Sequence, residues 1–271
     1  MEPAPPHFES LGWMEPPGFA GREVRVFVPP GFNPQVPTPA LFLFDGQNVF
    51  EGPPGRDEGW FVHRAISGLD PRWNVRPLVV AIPSGASWAE REDELTPWPT
   101  EGRGGRADAF LDWVAHALVP RTRERFLLPA GALGAVVGGA SWGGLLALHA
   151  HFALPHLFGG ALALSPSCWV GNFAIFESLR RRERPPFSRI YIDCGGREAE
   201  GRMLPPAQAL AEELRARGYS RSQLWWRPDP PADHDARAWR RRLPRALRFM
   251  FRRGPRPGRP FIQGPTPGSS R

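Results

Sequence analysis

Residues Ala135–Phe152 read AVVGGASWGGLLALHAHF. A short apolar run, a glycine-rich turn and a long apolar run follow one another without a break. The first piece, Ala135–Gly138, has the make-up of a buried strand, and the last, Gly143–Leu154, that of a buried helix. Between them Gly139-Ala140-Ser141-Trp142-Gly143 matches G-x-S-x-G, the strand–turn–helix signature that holds a serine on a sharp, strained turn. Glycine two residues before and two after the serine fits that turn, where larger side chains would collide. The free N–H groups and positive dipole end of the following helix would face any oxyanion forming at the serine.

Outward from this motif, short β-rich runs alternate with longer helical ones. Strands are predicted at Glu23–Val28, Leu41–Phe44, Leu78–Ile82, Ala135–Gly138, Ala161–Leu164, Arg189–Cys194 and Gln223–Arg227. Helices are predicted at Trp60–Leu69, Ala107–Phe126, Gly143–Leu154, Asn172–Arg182, Pro206–Arg217 and Ala236–Phe251. Runs such as LFLF, LVVAI and GALAL are apolar throughout, as in strands covered on both faces. The pattern implies an α/β fold in a single domain, with a mostly parallel central sheet and helices on both faces. Residues 1–20 are expected to form a Pro-rich leader, 21–252 the folded domain, and 253–271 a disordered basic tail.

Composition narrows the function. At 271 residues and 41% hydrophobic, the chain can bury a substantial core. It has no apolar run long enough to span a bilayer, and its acidic, Pro-rich opening lacks the apolar stretch of a secretory signal. Two cysteines, Cys168 and Cys194, make neither a disulfide framework nor a zinc site. A cytoplasmic location follows, with no membrane partner. The net charge of +7 would suit a nucleic-acid partner, but all 34 basic residues are arginine and they are scattered along the chain. That is the mark of GC-rich codon usage, so no nucleic-acid partner is expected.

A serine nucleophile needs a base. Of seven histidines only His234 follows the late strands, in PPADHDARAW, between the last strand and the last helix. Asp235 is placed to cap that helix, which leaves His234 on the loop side. His149 and His151 lie two apart on one helix, about 200° around it, and cannot share a metal ion. The acid should follow the strand at Arg189–Cys194, where Asp193, Glu198 and Glu200 compete. Glu198 is favoured because it follows Gly195-Gly196 on a loop free to turn inward. A second oxyanion donor is expected from LFLFDGQNVF: Gly46 frees the backbone, and the N–H of Gln47 pairs with that of Trp142. Asp45 is then a turn former.

These segments resemble one family. VRVFVPPGF, LFLFDGQNVF, REDELTPW, GGASWGG, ALSPSCW, YIDCGGRE and DHDARAWRRRLPRALRF occur in the order and spacing of the esterase family of α/β-hydrolases. That group includes enterochelin esterases, feruloyl esterases, S-formylglutathione hydrolase and mycolyltransferases. The resemblance covers roughly Arg22 to Phe251 and implies the α/β-hydrolase fold. It carries the family's nucleophile onto Ser141, its base onto His234 and its acid onto Glu198. The stretch before the first strand has no room for the amino-terminal immunoglobulin-like domain of some enterochelin esterases, so none is expected. The ALSPSCW match implies that Trp169, with Trp142, walls a substrate pocket. The expected activity is hydrolysis of a small-molecule carboxylic ester through a serine acyl-enzyme, with no metal or organic cofactor. Acyl transfer on the same fold is one alternative. An arginine-rich binding module using Arg180–Arg184 and Arg240–Arg242 is another.

Overall fold

In chain order, the computed structural model, which describes residues 4–253, begins with β1 (His7–Met14), β2 (Arg22–Val28) and β3 (Ala40–Phe44). There follow α1 (Gly46–Val49), α2 (Val62–Ser67), β4 (Leu78–Ile82), α3 (Trp88–Leu95), α4 (Ala107–Trp113) and α5 (Val119–Arg125). The second half runs β5 (Ala135–Ala140), α6 (Trp142–Ala153), β6 (Gly160–Leu164), α7 (Val170–Arg181), β7 (Arg189–Gly195), α8 (Leu204–Ala216), β8 (Leu224–Asp229) and α9 (Ala236–Met250).

The eight strands form one sheet in the order β1-β2-β4-β3-β5-β6-β7-β8. β2 pairs antiparallel with both β1 and β4, and every other pairing is parallel. This is the α/β-hydrolase arrangement. Strand alternation divides the apolar runs between two cores. Phe42, Phe44, Val80, Val137 and Ile192 join the core that includes α6 and α8, while Leu41, Leu43, Val79, Leu162 and Tyr191 pack with α2 and α9. Both sides of each central strand are therefore apolar, which is why those runs do not alternate in sequence. Parallel pairing also brings the carboxyl ends of β3, β5, β6 and β7 to one edge, where the loops that follow them can meet.

Four differences from the sequence reading have physical causes. Residues 7–14, placed in the leader, form edge strand β1, in which Leu11 alone is buried. An edge strand with one core residue lacks an apolar signature, and pairing with β2 creates it. Residues 84–106, where no helix is predicted, contain α3, with a Ser87–Glu90 capping box that S-x-x-E announces. The single helix expected over Ala107–Phe126 is interrupted by a π-helical segment at Val114–Leu118 just ahead of Pro120. Pro120 supplies no N–H and its ring crowds the preceding turn. In α7, Gly171, Asn172 and Phe173 are left-handed, so the regular helix starts after them. No helix among the described residues is long and apolar enough to cross a membrane. The expected basic tail lies, from residue 254 onward, outside the described residues.

Candidate active site

Ser141 sits between β5 and α6 with φ 57° and ψ −120°, a backbone state costly for any side-chain-bearing residue. The surroundings hold it there. Ser141 N–H donates to Leu164 O at 3.0 Å, and Ser141 O accepts from Leu145 N–H at 3.0 Å and Ser167 N–H at 3.1 Å. A Cβ on Gly139 would lie 2.6 Å from the carbonyl carbon of Gly143, so the turn closes only around glycine. Ser141 is thus pinned to the end of β6 as well as to its own helix.

The loop between β8 and α9 delivers His234. Asp235 accepts from Ala238 N–H at 2.7 Å, capping α9 and leaving His234 on the loop side. His234 Nδ1 lies 2.9 Å from Glu198 Oε2, and Nε2 lies 3.0 Å from Ser141 Oγ. With Nδ1–H donating to the carboxylate, Nε2 is the acceptor facing the serine hydroxyl. The Trp239 ring stands edge-on to the imidazole, 5.0 Å between centroids.

Glu198 is fully buried. Its Oε1 accepts from Gly195 N–H at 2.7 Å, Ser165 Oγ–H at 2.6 Å and Arg242 at 3.2 Å, which leaves Oε2 for the imidazole. Burial alone would raise this carboxyl, but the hydrogen bonds from His234 and Ser165 and the charges of His234 and Arg242 hold it below the usual carboxylate range. Asp193 turns the other way, into a pocket formed by Tyr191, Arg242 and Arg245. It accepts from Tyr191 OH at 3.1 Å and lies 3.4 Å from Arg242 Nε. Burial pushes its carboxyl up to about 6 despite these partners. Gly195 and Gly196 let the β7 loop touch the histidine loop, since a Cβ there would come within 2.4 Å of Ala232 O and 2.5 Å of Pro230 O.

Across the serine, β3 is followed by Asp45, which is left-handed at φ 58°. Arg91 Nε and Nη2 donate to its carboxylate at 2.6 and 2.8 Å, and Ser84 Oγ donates at 3.0 Å. The Gln47 side chain is clamped to Ser84 through two hydrogen bonds of 2.9 and 3.1 Å. A Cβ on Gly46 would lie 2.5 Å from Ile82 C, and one on Gly143 would lie 3.4 Å from Asp45 Oδ2. The Asp45–Gln47 turn therefore abuts the start of α6. Gln47 and Trp142 both lie in a first helical turn, where N–H groups have no acceptor inside the helix.

The structure brings Ser141, His234 and Glu198 into one hydrogen-bonded chain, with Gln47 and Trp142 on the two segments flanking the serine. The Trp142 side chain is buried against Trp88, 4.7 Å between centroids, and under the Arg91 guanidinium, so it packs rather than lines open space. Trp169, at the start of α7, is 41% exposed. His149 is committed to Asp108 at 2.7 Å, and His151 to Phe158 O and Ser188 Oγ. Sequence reasoning missed Ser165, Ser167, Trp239 and Arg242. Ser167 Oγ lies 3.2 Å from Ser141 Oγ, and Trp239 Nε1 donates to Ser165 Oγ at 3.0 Å. The ALSPSCW segment held the serine signal; Trp239 and Arg242 were hidden in an amphipathic, arginine-rich helix.

Comparison with known proteins agrees with this architecture. The family described as "Putative esterase" matches residues 20–250. YbbA of Bacillus subtilis (strain 168) is 23% identical over 245 residues, 85% of this chain and 92% of the relative. The siderophore triacetylfusarinine C esterase of Aspergillus fumigatus is 40% identical over 94 residues, 33% of this chain and 31% of that protein. The crystal structure of the BES protein from Bacillus cereus superposes with a TM-score of 0.70 at 21% identity, covering 90% of this chain and 96% of that one. With its family match running from the second strand to the last helix, the chain belongs to the esterase family.

Proposed function

We propose that the chain hydrolyses a small-molecule carboxylic ester through a covalent acyl-enzyme on Ser141, its catalytic unit spanning residues 21–252. The observation that carries this reading is the Ser141–His234–Glu198 chain, with contacts of 3.0 and 2.9 Å. His234 Nε2 takes the Ser141 proton as Oγ attacks the ester carbonyl carbon. The carbonyl oxygen becomes an oxyanion, which the N–H groups of Trp142 and Gln47 stabilise. Glu198 orients the imidazole and supports its charged form. The imidazolium then gives its proton to the departing alkoxide, leaving an acyl group on Ser141. Water attacks that acyl group, surrendering a proton to His234, and the acid leaves as Oγ is reprotonated.

The siderophore esterase among the relatives makes siderophore esters the first substrates to assay, beside feruloyl esters and chromogenic esters of graded acyl length. Cys168 and Cys194 are both free and buried, which fits action in the reducing cytoplasm. The test is Ser141→Ala. Turnover should fall by about 10⁶ in a normally folded protein, and a fluorophosphonate should label the wild type and not the variant. Labelling elsewhere, with activity kept, would overturn the reading.

A further inference from the structure

Two arginines are buried among the described residues, Arg22 and Arg242. Arg22 forms a closed pair with Glu94. Arg242 is different: only 1% exposed, it lies between two carboxylates that are both fully buried. Nη2 donates to Ser165 Oγ at 2.7 Å and to Glu198 Oε1 at 3.2 Å, and Nη1 reaches the same Oε1 at 3.3 Å. Nε lies 3.4 Å from Asp193 Oδ2, a charge contact without hydrogen-bond geometry.

The charges pose a problem that the arrangement solves. A cation beside the acid of a Ser–His–acid chain would cancel the field that favours the imidazolium. Asp193, buried on the far side of Arg242, supplies a second negative charge once ionised, above about pH 6, and there Asp193, Arg242 and Glu198 together carry one net negative charge. We propose that Arg242 and Asp193 form a positioning pair for the catalytic chain: Arg242 fixes Glu198 Oε1 so that Oε2 faces His234, and Asp193 neutralises the guanidinium so that the charge of Glu198 remains available to the imidazole. This inference rests on the assignment of Ser141, His234 and Glu198 made above.

Other groups face this cluster. From α9, Arg245 Nη2 is buried without a hydrogen-bond partner 3.8 Å from Asp193 Oδ2, a more distant charge contact than that of Arg242, while its Nε donates to Tyr191 OH. From β7, Tyr191 OH donates to Asp193, and the Cys194 thiol, kept protonated by burial, contacts Glu198 Oε2 at 3.6 Å. Asp233 and Asp235 flank His234, with Asp235 already engaged as the α9 cap. Among these groups, only Arg242 lies within hydrogen-bond reach of Glu198 and ion-pair reach of Asp193 at once.

The experiment compares the pH dependence of kcat/KM for Asp193→Asn, Arg242→Met and the double variant. The acid limb reports His234 in the free enzyme. Asp193→Asn leaves a net neutral cluster and should move that limb to lower pH by about one unit, the lower end of the shift a nearby charge causes. Arg242→Met leaves two carboxylates and should move it to higher pH. The double variant restores one net negative charge, so its limb should return to the wild-type position while kcat stays about tenfold or more lower, since Oε1 has lost its charged donor. Single variants strand a buried charge and can fail to fold, whereas removing both partners is better tolerated. If the singles do not fold, the double decides alone. Acid limbs unmoved in the singles, or wild-type kcat in the double, would overturn the inference. Activity surviving in Ser141→Ala would instead overturn the catalytic reading on which it rests.

Discussion

Ser165 Oγ donates to Glu198 Oε1 at 2.6 Å, tying the end of β6 to the carboxylate that faces His234. The same hydroxyl accepts from Trp239 Nε1 and Arg242 Nη2, so its single proton and both lone pairs are used. Ser165 itself is left-handed at φ 45° and fully buried. In the proposed mechanism a residue so placed would act through Glu198.

Ser165→Ala should therefore lower kcat by about 10- to 100-fold, the worth of a hydrogen bond to a charged group, with little change in KM. Steady-state kinetics on any accepted ester would check this. A rise in KM at unchanged kcat would place Ser165 in the binding surface instead.

Glu198→Gln should cost about 10⁴ in kcat with KM nearly intact, because the imidazole loses both its orienting acceptor and its counter-charge. Asp193→Asn should cost far less at the pH optimum and act mainly through stability and the acid limb. If Asp193→Asn abolishes turnover in a well-folded protein while Glu198→Gln stays active, the two roles must be exchanged.

Arg91 holds Asp45 through two short hydrogen bonds and covers the Trp142 ring at 4.9 Å. Arg91→Met should free the Asp45–Gln47 turn and lower kcat by about tenfold or more, since an oxyanion donor works only when fixed in place. The variant should still react with a fluorophosphonate, only more slowly, and labelling kinetics will show it.

Gly139→Ala would put a methyl group 2.6 Å from the carbonyl carbon of Gly143, a backbone atom that cannot yield without opening the serine turn. The expected loss is about 2 kcal/mol or more of stability, together with loss of turnover. Denaturant melts will measure the first.

His151 is fully buried on α6 between Phe158 O and Ser188 Oγ, and burial lowers its pKa to about 4. The unfolded chain takes up this proton near pH 6.5, before the folded one does. The stability His151 permits is therefore complete above pH 6.5 and is lost as pH falls toward 4, by about 3 kcal/mol. Asp193, raised to about 6 by burial, works in the opposite sense between pH 6 and its ordinary value of 3.8. The readout is thus the difference between His151→Gln and wild type: the variant should melt lower at pH 7 and show a flatter fall in Tm between pH 6.5 and 4.

The sequence by itself determined the sheet, the serine turn and the histidine loop, because each has a local physical cause. Continuous apolar runs mark strands covered on both faces, Gly139 and Gly143 mark a turn with no room for a Cβ, and Asp235 marks where α9 must start. The Gly195-Gly196 pair likewise announced a loop that approaches its neighbour closely. Tertiary structure alone decided β1, whose eight residues bury one side chain and become a strand only by pairing with β2. It alone separated Glu198 from Asp193 in space, since strand alternation gives the direction of a side chain but not the donors it meets. It alone made Arg242 a buried residue. Among the arginines of α9, Arg237 and Arg240 pair with Asp57 and Arg241 with Asp229. Only the packing of α9 on β6 and β7 turns Arg242 inward, toward charges contributed from about 44 residues away in the chain.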